Sequence, residues 1–425
     1  MLSTTTPYAR DLGNNLVLKS VSTPDEIERL AAFNLATHNE RGIDAMTREL
    51  ILRHPHTHPR HWLFVEDTST GETVSSIALI PWQWQYEDVT LRVGEMGIVG
   101  TNEAYRHRGL IRALVERFKE LLAEGEYDLS HIQGIPYYYR QFGYEYALPL
   151  ERKWHVELHA LPADPPAAPR PTIRLATPDD IPALMRHYAA MMRSVDIHTV
   201  RDEPLWRYLL NIAPMTATAH ETWLAVDAAQ QIVGYWRIDL AGFGQGLNVA
   251  ECSPLPYGTA AYVLHWLKQI AIDRGKPYIR LNLPAENSLV QTARGWGAHD
   301  MGHYAWQIHV PDAARLLHTL APIFERRVAC SMFAGLTRTV RVSLYRETIE
   351  MRFVDGMIKA VESVGFSEGG DISLPPLLLA PLALGYRTWR DLREMYPDVS
   401  CWEPSSQPLI DTLFPRAASF ITQIY

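Results

Sequence analysis

The sequence predicts a mixed α/β (α+β) protein built in three units, and three observations carry that prediction. A strand, a basic loop and an amphipathic helix follow one another from Glu95 to Glu124. A segment with five prolines, Leu161 to Pro171, interrupts the chain. Two sequence anchors recur in the same order on either side of it.

The first unit, about 1–160, opens with a short strand, Leu16-Val17-Leu18, then Thr23-Pro24-Asp25-Glu26-Ile27. Thr as N-cap, Pro at the first helical position and acids in the first turn start a helix with a mechanism. Trp62 to Glu66 reads as a strand leading into a turn and a second apolar strand. Trp82, Trp84 and Tyr86 alternate on one face of that strand, as sheet packing or as the wall of an amine pocket. Glu95 to Thr101 is the next strand, and Gly97 and Gly100 suit one that bulges or splays. Leu110, Ile111, Leu114, Val115, Phe118, Leu121 and Leu122 recur with helical spacing, so a helix runs to about Glu124. Asp128 to Ile135 is expected as another strand.

Between strand and helix lies Tyr105-Arg106-His107-Arg108-Gly109-Leu110-Ile111. A helix start leaves backbone N–H groups without intrahelical partners, and the helix dipole favours negative charge there. Gly109 admits a ligand to the backbone, and Arg106 and Arg108 add positive charge. Such a loop can seat a pyrophosphate.

The linker is extended and stiff and builds no core. The second unit, 171–304, then repeats the first. Ile173-Arg174-Leu175 leads to Thr177-Pro178-Asp179-Asp180-Ile181, and Trp223 to Asp227 matches Trp62 to Glu66. Two ordered matches point to an internal duplication. The counterpart of the basic loop, Cys252 to Ala260, has no Arg-x-x-Gly, so this copy is expected to have lost the ligand site. The third unit, 305–425, mixes a helix near Ala313 to Arg327 with strands near Thr337 to Glu347 and Ile349 to Phe353. Apolar Leu374 to Leu384 is too short and proline-broken to span a bilayer, and the apolar run Phe420 to Tyr425 is expected to be buried.

A net charge of −8 argues against nucleic acid and anionic membranes as partners. Cys252, Cys330 and Cys401 form no CxxC pair, which suits a reduced, cytoplasmic protein. The start of the chain lacks the apolar core of a signal peptide. His54, His56, His58 and His61 crowd one proline-rich loop, but their spacing matches no standard metal site, so no metal is expected.

The stretch Glu95 to Leu114 resembles motif A of the GCN5-related N-acetyltransferases (GNAT), whose loop reads Arg/Gln-x-x-Gly-x-Gly/Ala. Arg106 and Gly109 fit it, and Ile111 departs at the last position. Arg108 to Leu114 (RGLIRAL) is similar to the Eis-type (enhanced intracellular survival) branch. That branch carries two acetyltransferase domains, the second degenerate, and a domain like sterol carrier protein type 2. Gly385-Tyr386-Arg387 and Leu413-Phe414-Pro415 resemble its third domain.

The resemblance implies acetyl-CoA as co-substrate and a primary amine as acceptor: an aminoglycoside, a polyamine or a lysine side chain. It implies a homo-oligomer, hexameric in relatives. Val99 and Thr101 would meet the pantetheine through their backbone, and Arg106, His107, Arg108, Gly109, Leu110 and Ile111 the pyrophosphate. Tyr137 to Tyr144 resembles the family's Tyr-x-x-Phe-Gly-Phe/Tyr segment, and the match selects Tyr139 as the general acid. Glu95 or the carboxylate of Tyr425 would be the base, with Tyr425 preferred. The competing expectation is a non-catalytic protein that binds a lipid or small molecule in its last domain.

Overall fold

The computed structural model describes residues 7–240, 244–401 and 403–425. Its centre is a ten-stranded sheet whose main path runs Ala9–Gly13, Leu16–Ser20, Trp62–Asp67, Glu72–Tyr86, Val89–Thr101, Leu129–Ile132, Ala305–His309, Glu145–Pro149. A second sheet has seven strands: His299–Asp300, Lys153–Glu157, Tyr278–Asn282, Leu247–Cys252, Ile232–Asp239, His220–Val226, Thr172–Leu175. A third sheet has four: Met357–Ser363, Thr348–Val354, Arg338–Ser343, Ile372–Ser373.

The first two sheets share a plan. In each, antiparallel strands lead to a parallel pair whose strands are joined by a helix: Leu110–Glu124 in the first, Tyr257–Asp273 in the second. Both repeated anchors land in matching places. Thr23 closes a capping box with Glu26, and Thr177 closes one with Asp180. Trp62–Asp67 and His220–Val226 each lie between the strand before the capping box and the next strand along the chain.

The proline-rich segment does not part the two sheets. Lys153–Glu157, which sequence reading puts in the first unit, pairs with Tyr278–Asn282 of the second sheet. Ala305–His309 returns to the first sheet and wedges between Leu129–Ile132 and Glu145–Pro149. Ladder partners are set by distant residues, so local pattern could not reveal the exchange.

Some elements differ from expectation. The strand expected over Asp128 to Ile135 is only Leu129–Ile132, because the sheet splits beyond it. The helix near 313–327 is two, Ala313–Thr319 and Ala321–Ala329, with Pro322 opening the second turn of chain. Leu374 to Leu384 folds as a buried short helix, and no helix among the described residues is long and apolar enough to cross a membrane. The helix Leu110–Glu124 has the expected bounds.

Candidate functional site

The site begins where two parallel strands part. Val93, Gly94 and Glu95 pair with Leu129, Ser130 and His131, and the pairing stops there. Beyond Glu95 the two strands diverge. On the other edge, Ser76 faces Gly100 and Ala78 faces Gly97, so Ile98 and Val99 together oppose Ile77. This is a bulge, with Ile98 at φ 46°. A bulge takes a residue out of the ladder and re-aims the chain.

The split opens into a cleft of about 720 Å³. One wall is Val99 to Thr101, backed by Thr37 and His38 from the end of the first helix; the other is Ile135, Tyr138 and Tyr139. The basic loop closes its end. Tyr105 Oη donates to Asp67 Oδ2 at 2.8 Å and pins the loop to the sheet. Gly109 caps the helix at φ 78°, a left-handed conformation that favours glycine, and brings the open N–H groups of the first turn to the cleft. Arg106 is exposed and paired with Glu103 at 3.1 Å, which leaves it free to turn to an anion.

Of the residues expected around the acyl donor, Val99, Thr101, Arg106, His107, Gly109, Leu110 and Ile111 line this cleft. Arg108 does not. It stacks on Tyr105 at 4.7 Å and lines a neighbouring hollow beside Leu12 and Asn14. Alternate residues of a turn face opposite sides, which the motif spacing could not resolve.

Tyr139 is buried on a 3₁₀ turn, Tyr138–Phe142, entered through Tyr137 at φ 68°. Its ring packs edge-on to Tyr138 and Tyr144, and its hydroxyl has no hydrogen-bond partner among the described residues. Burial pushes its phenol well above the ordinary value, so it stays protonated and able to donate.

Glu95 stands at the apex of the split, only 6% exposed. Trp82 Nε1 donates to its Oε2 at 2.9 Å, and the Tyr425 hydroxyl donates to its Oε1 at 2.8 Å. Burial raises its pKa to about 7, against the opposing pull of those two donors. The structure thus joins both expected bases in one contact. It does so through the phenol of Tyr425, where sequence reading pointed to its carboxylate. His131, paired with Glu95 in register, is buried among Trp82, Trp84 and Trp306, and burial lowers its pKa to about 3.

The tail that delivers Tyr425 is clamped. Ser419–Phe420 pairs with Ile197–Thr199, which pairs with Glu72–Tyr86 of the first sheet. Thr199 Oγ1 donates to the Thr422 carbonyl at 2.9 Å, and Arg201 Nη2 to the Gln423 carbonyl at 2.7 Å. His54 Nε2 meets the Ile424 carbonyl at 3.2 Å. Arg201 is itself held by Glu251 of the second sheet, at 2.8 Å, with no side-chain exposure. Burial opposes ionisation of Glu251, but Arg201 and Arg237 outweigh it and keep the carboxyl below its usual range.

Two other stretches singled out in the sequence find their places here. Trp82, Trp84 and Tyr86 are all buried in the core; Trp82 donates to Glu95 and also edges a small cavity of about 110 Å³ beside His56 and Asp202. The histidine loop holds the tail: beside His54, His56 Nε2 pairs with Asp202 at 3.1 Å. No group of three or more metal-ligating side chains occurs among the described residues. The contact of Trp82 with Glu95, the place of His38 and the clamp were not read from sequence. Only Trp82 left a signal, two strands' alternation on the Glu95 face.

Residues 26–147 match the family described as Acetyltransferase (GNAT) domain. The chain carries a GNAT acetyltransferase domain. No curated relative matches by sequence. Among solved structures, a GCN5-related N-acetyltransferase from Anabaena variabilis has TM-score 0.68 at 12% identity, covering 96% of this chain and 99% of that one. One from Kribbella flavida has TM-score 0.67 at 17% identity, covering 96% and 100%. Eis1 from Mycobacterium abscessus has TM-score 0.62 at 16% identity, again covering 96% and 100%. At these identities the likeness is one of fold, and it extends over nearly the whole chain, well beyond the GNAT domain. GNAT acetyltransferases use acetyl-CoA, and the split, bulge and helix start of this GNAT domain fit that donor.

Proposed function

We propose that this protein is an acetyl-CoA-dependent N-acetyltransferase of the Eis type, acting on a primary amine of the aminoglycoside, polyamine or lysine class. One observation carries the reading. A carboxyl with pKa near 7 stands at the apex of the split whose far wall bears a protonated tyrosine. A base and an acid whose environments push them apart are what amine acylation requires.

The thioester supplies an activated acetyl group. The backbone at the Ile98–Val99 bulge offers a donor to its carbonyl oxygen, where negative charge develops during attack. Glu95 takes the proton from the incoming ammonium, so that a free amine attacks. Tyr139 gives its Oη proton to the departing sulfur, and the second proton, shed by the acylated nitrogen, returns to the phenolate through solvent in the cleft. The helix start at Gly109 and the turn of Arg106 hold the pyrophosphate.

Within the same reading, the second sheet is a degenerate acetyltransferase copy and the last unit a sterol carrier protein-like domain. A cytoplasmic homo-oligomer, hexameric as in Eis-type relatives, belongs to it too. The Tyr425 carboxylate is the other possible base, favoured by the four-point hold on the tail. Tyr425→Phe separates the two: it removes the phenol from Glu95 and keeps the carboxylate.

The test is release of CoA thiol from acetyl-CoA with polyamines, aminoglycosides and lysine peptides as acceptors. Amine-dependent release that falls in Glu95→Gln and Tyr139→Phe supports the reading. No release with any acceptor, together with no acetyl-CoA binding, would sink it.

A further inference from the structure

A second cavity, of about 310 Å³, lies outside the cleft, between the strand Glu145–Pro149 and the helix Trp389–Met395. That volume is at the lower end for small-molecule sites. Its walls are apolar and aromatic: Tyr146, Tyr304 and Tyr396 with Leu378, Leu392 and Met395. Two cations reach it. Arg140 is already paired with Glu145. Arg387 is not paired. It is half-buried, and its guanidinium stacks on Tyr386 at 4.3 Å and has no acidic or hydrogen-bonding partner among the described residues, the backbone N–H alone donating to the Pro381 carbonyl. His303 shares the cavity; burial and the nearby arginines lower its pKa, so it brings no competing charge at neutral pH.

A guanidinium presents a planar fork that matches a carboxylate, and it seeks one when half-desolvated. The flat rings and aliphatic side chains around it match an apolar body. We propose that this cavity is a second ligand site, for a small apolar carboxylate whose charge Arg387 receives and whose body lies against Tyr146, Tyr304 and Tyr396.

The site is wired to Tyr139. Tyr304 Oη lies 2.8 Å from Tyr146 Oη, and it also donates to the Gly134 carbonyl at 3.3 Å. Tyr146 Oη accepts from the Tyr137 N–H at 3.4 Å. Gly134 in turn lies flat beneath the Tyr139 ring: a Cβ there would stand 2.2 Å from that ring. A ligand that moves Tyr304 or Tyr146 therefore bears on the tyrosine of the cleft within two contacts.

The proposal concerns binding and stands whether or not the protein transfers acetyl groups. The experiment is calorimetric titration of the full chain with phenylacetate and with its neutral analogue phenylacetamide, each with and without saturating CoA. Saturable binding of phenylacetate, at least tenfold tighter than the amide and retained at saturating CoA, is expected. Arg387→Gln should erase the preference for the acid, and Arg387→Lys should keep part of it. Leu392→Arg, which fills the cavity from the opposite wall, should abolish binding while thermal unfolding shows a folded chain. Equal binding in Arg387→Gln, displacement of phenylacetate by CoA, or no saturable binding would each overturn the proposal.

Discussion

The two large sheets follow one plan and end in opposite chemistry. In the first, the strands part after Glu95 and His131 and leave a cleft. In the second, pairing stops after Val249 and Leu281, but the chain fills the gap itself. Asn287 Nδ2 donates to the Cys252 carbonyl at 2.8 Å, and the Leu255 N–H donates to Ser288 Oγ at 2.9 Å. The helix start is covered too: a side chain at Gly258 would meet Pro169 of the proline-rich segment at 2.5 Å. Ser253-Pro254-Leu255-Pro256 offers no positive charge where the first sheet has Arg106. An N-terminal helix end is thus only half of an anion site. The other half is keeping the chain out of it.

What the second sheet does hold is the tail, through Arg201 and Glu251. The sharpest way to break the comparison is Arg201→Met. It takes from the buried Glu251 its hydrogen-bonded cation and leaves the carboxylate to Arg237 and the Tyr235 hydroxyl, and we expect a loss of about 3 kcal/mol in unfolding free energy. Replacing Glu251 and the buried Arg237 by Met as well should restore stability in urea unfolding. It should not restore turnover, because the Gln423 carbonyl still lacks its donor. Full recovery of both would show that the second sheet only packs.

Glu95→Gln comes next. Turnover should fall about 100-fold or more. In the native chain, kcat/KM should rise with pH through about 7, as Glu95 loses its proton, and that limb should vanish in the variant. Stability follows the same group. Its folded pKa lies above the unfolded value, so the stabilisation is complete below the unfolded pKa and lost as pH rises through about 7. Glu95→Gln, which mimics the protonated form, should therefore unfold at higher temperature than the native protein above pH 7, by up to about 3 kcal/mol, and show no advantage at pH 4.

Tyr139→Phe should lower turnover about 10- to 100-fold while acetyl-CoA affinity, read by titration, stays within about twofold. A matching loss of affinity would make Tyr139 a wall of the cleft and not its acid. Arg106→Gln should weaken acetyl-CoA about fivefold with no change in unfolding, since the side chain is exposed and its partner lies at the surface. The smallest expected effect is none: Pro254→Arg should leave one acetyl-CoA bound per chain. A second equivalent would refute the view that Asn287 and Pro169 close the corresponding gap of the second sheet.

Local chemistry was legible from sequence. Gly109, the arginines and the helix after them lie within one short stretch, and so do the two capping boxes. Tyr139 came from its neighbours Phe142 and Gly143. What stayed hidden was long-range. Nothing near Glu95 in sequence announces that Tyr425, 330 residues away, will donate to it. The histidines at 54 and 56 had no purpose legible in sequence because their partners are a carbonyl of Ile424 and a carboxylate of Asp202. The strand at Asp128 to Ile135 was overextended because its apolar pattern runs on past the point where the ladder ends and Gly134 slides under Tyr139.

The exchanged strands have a consequence for how this molecule is made and inherited. Until Ala305–His309 is synthesised, Leu129–Ile132 and Glu145–Pro149 have no strand between them, and both edges stand open to stray pairing. A fragment ending at the proline-rich segment would carry the whole matched GNAT region, yet it should aggregate when expressed alone. Cutting within that segment in the finished protein should release nothing. The second sheet takes a strand from before the proline-rich segment and the first sheet takes one from after the second, so neither can be trimmed away, borrowed or replaced without ruining its neighbour.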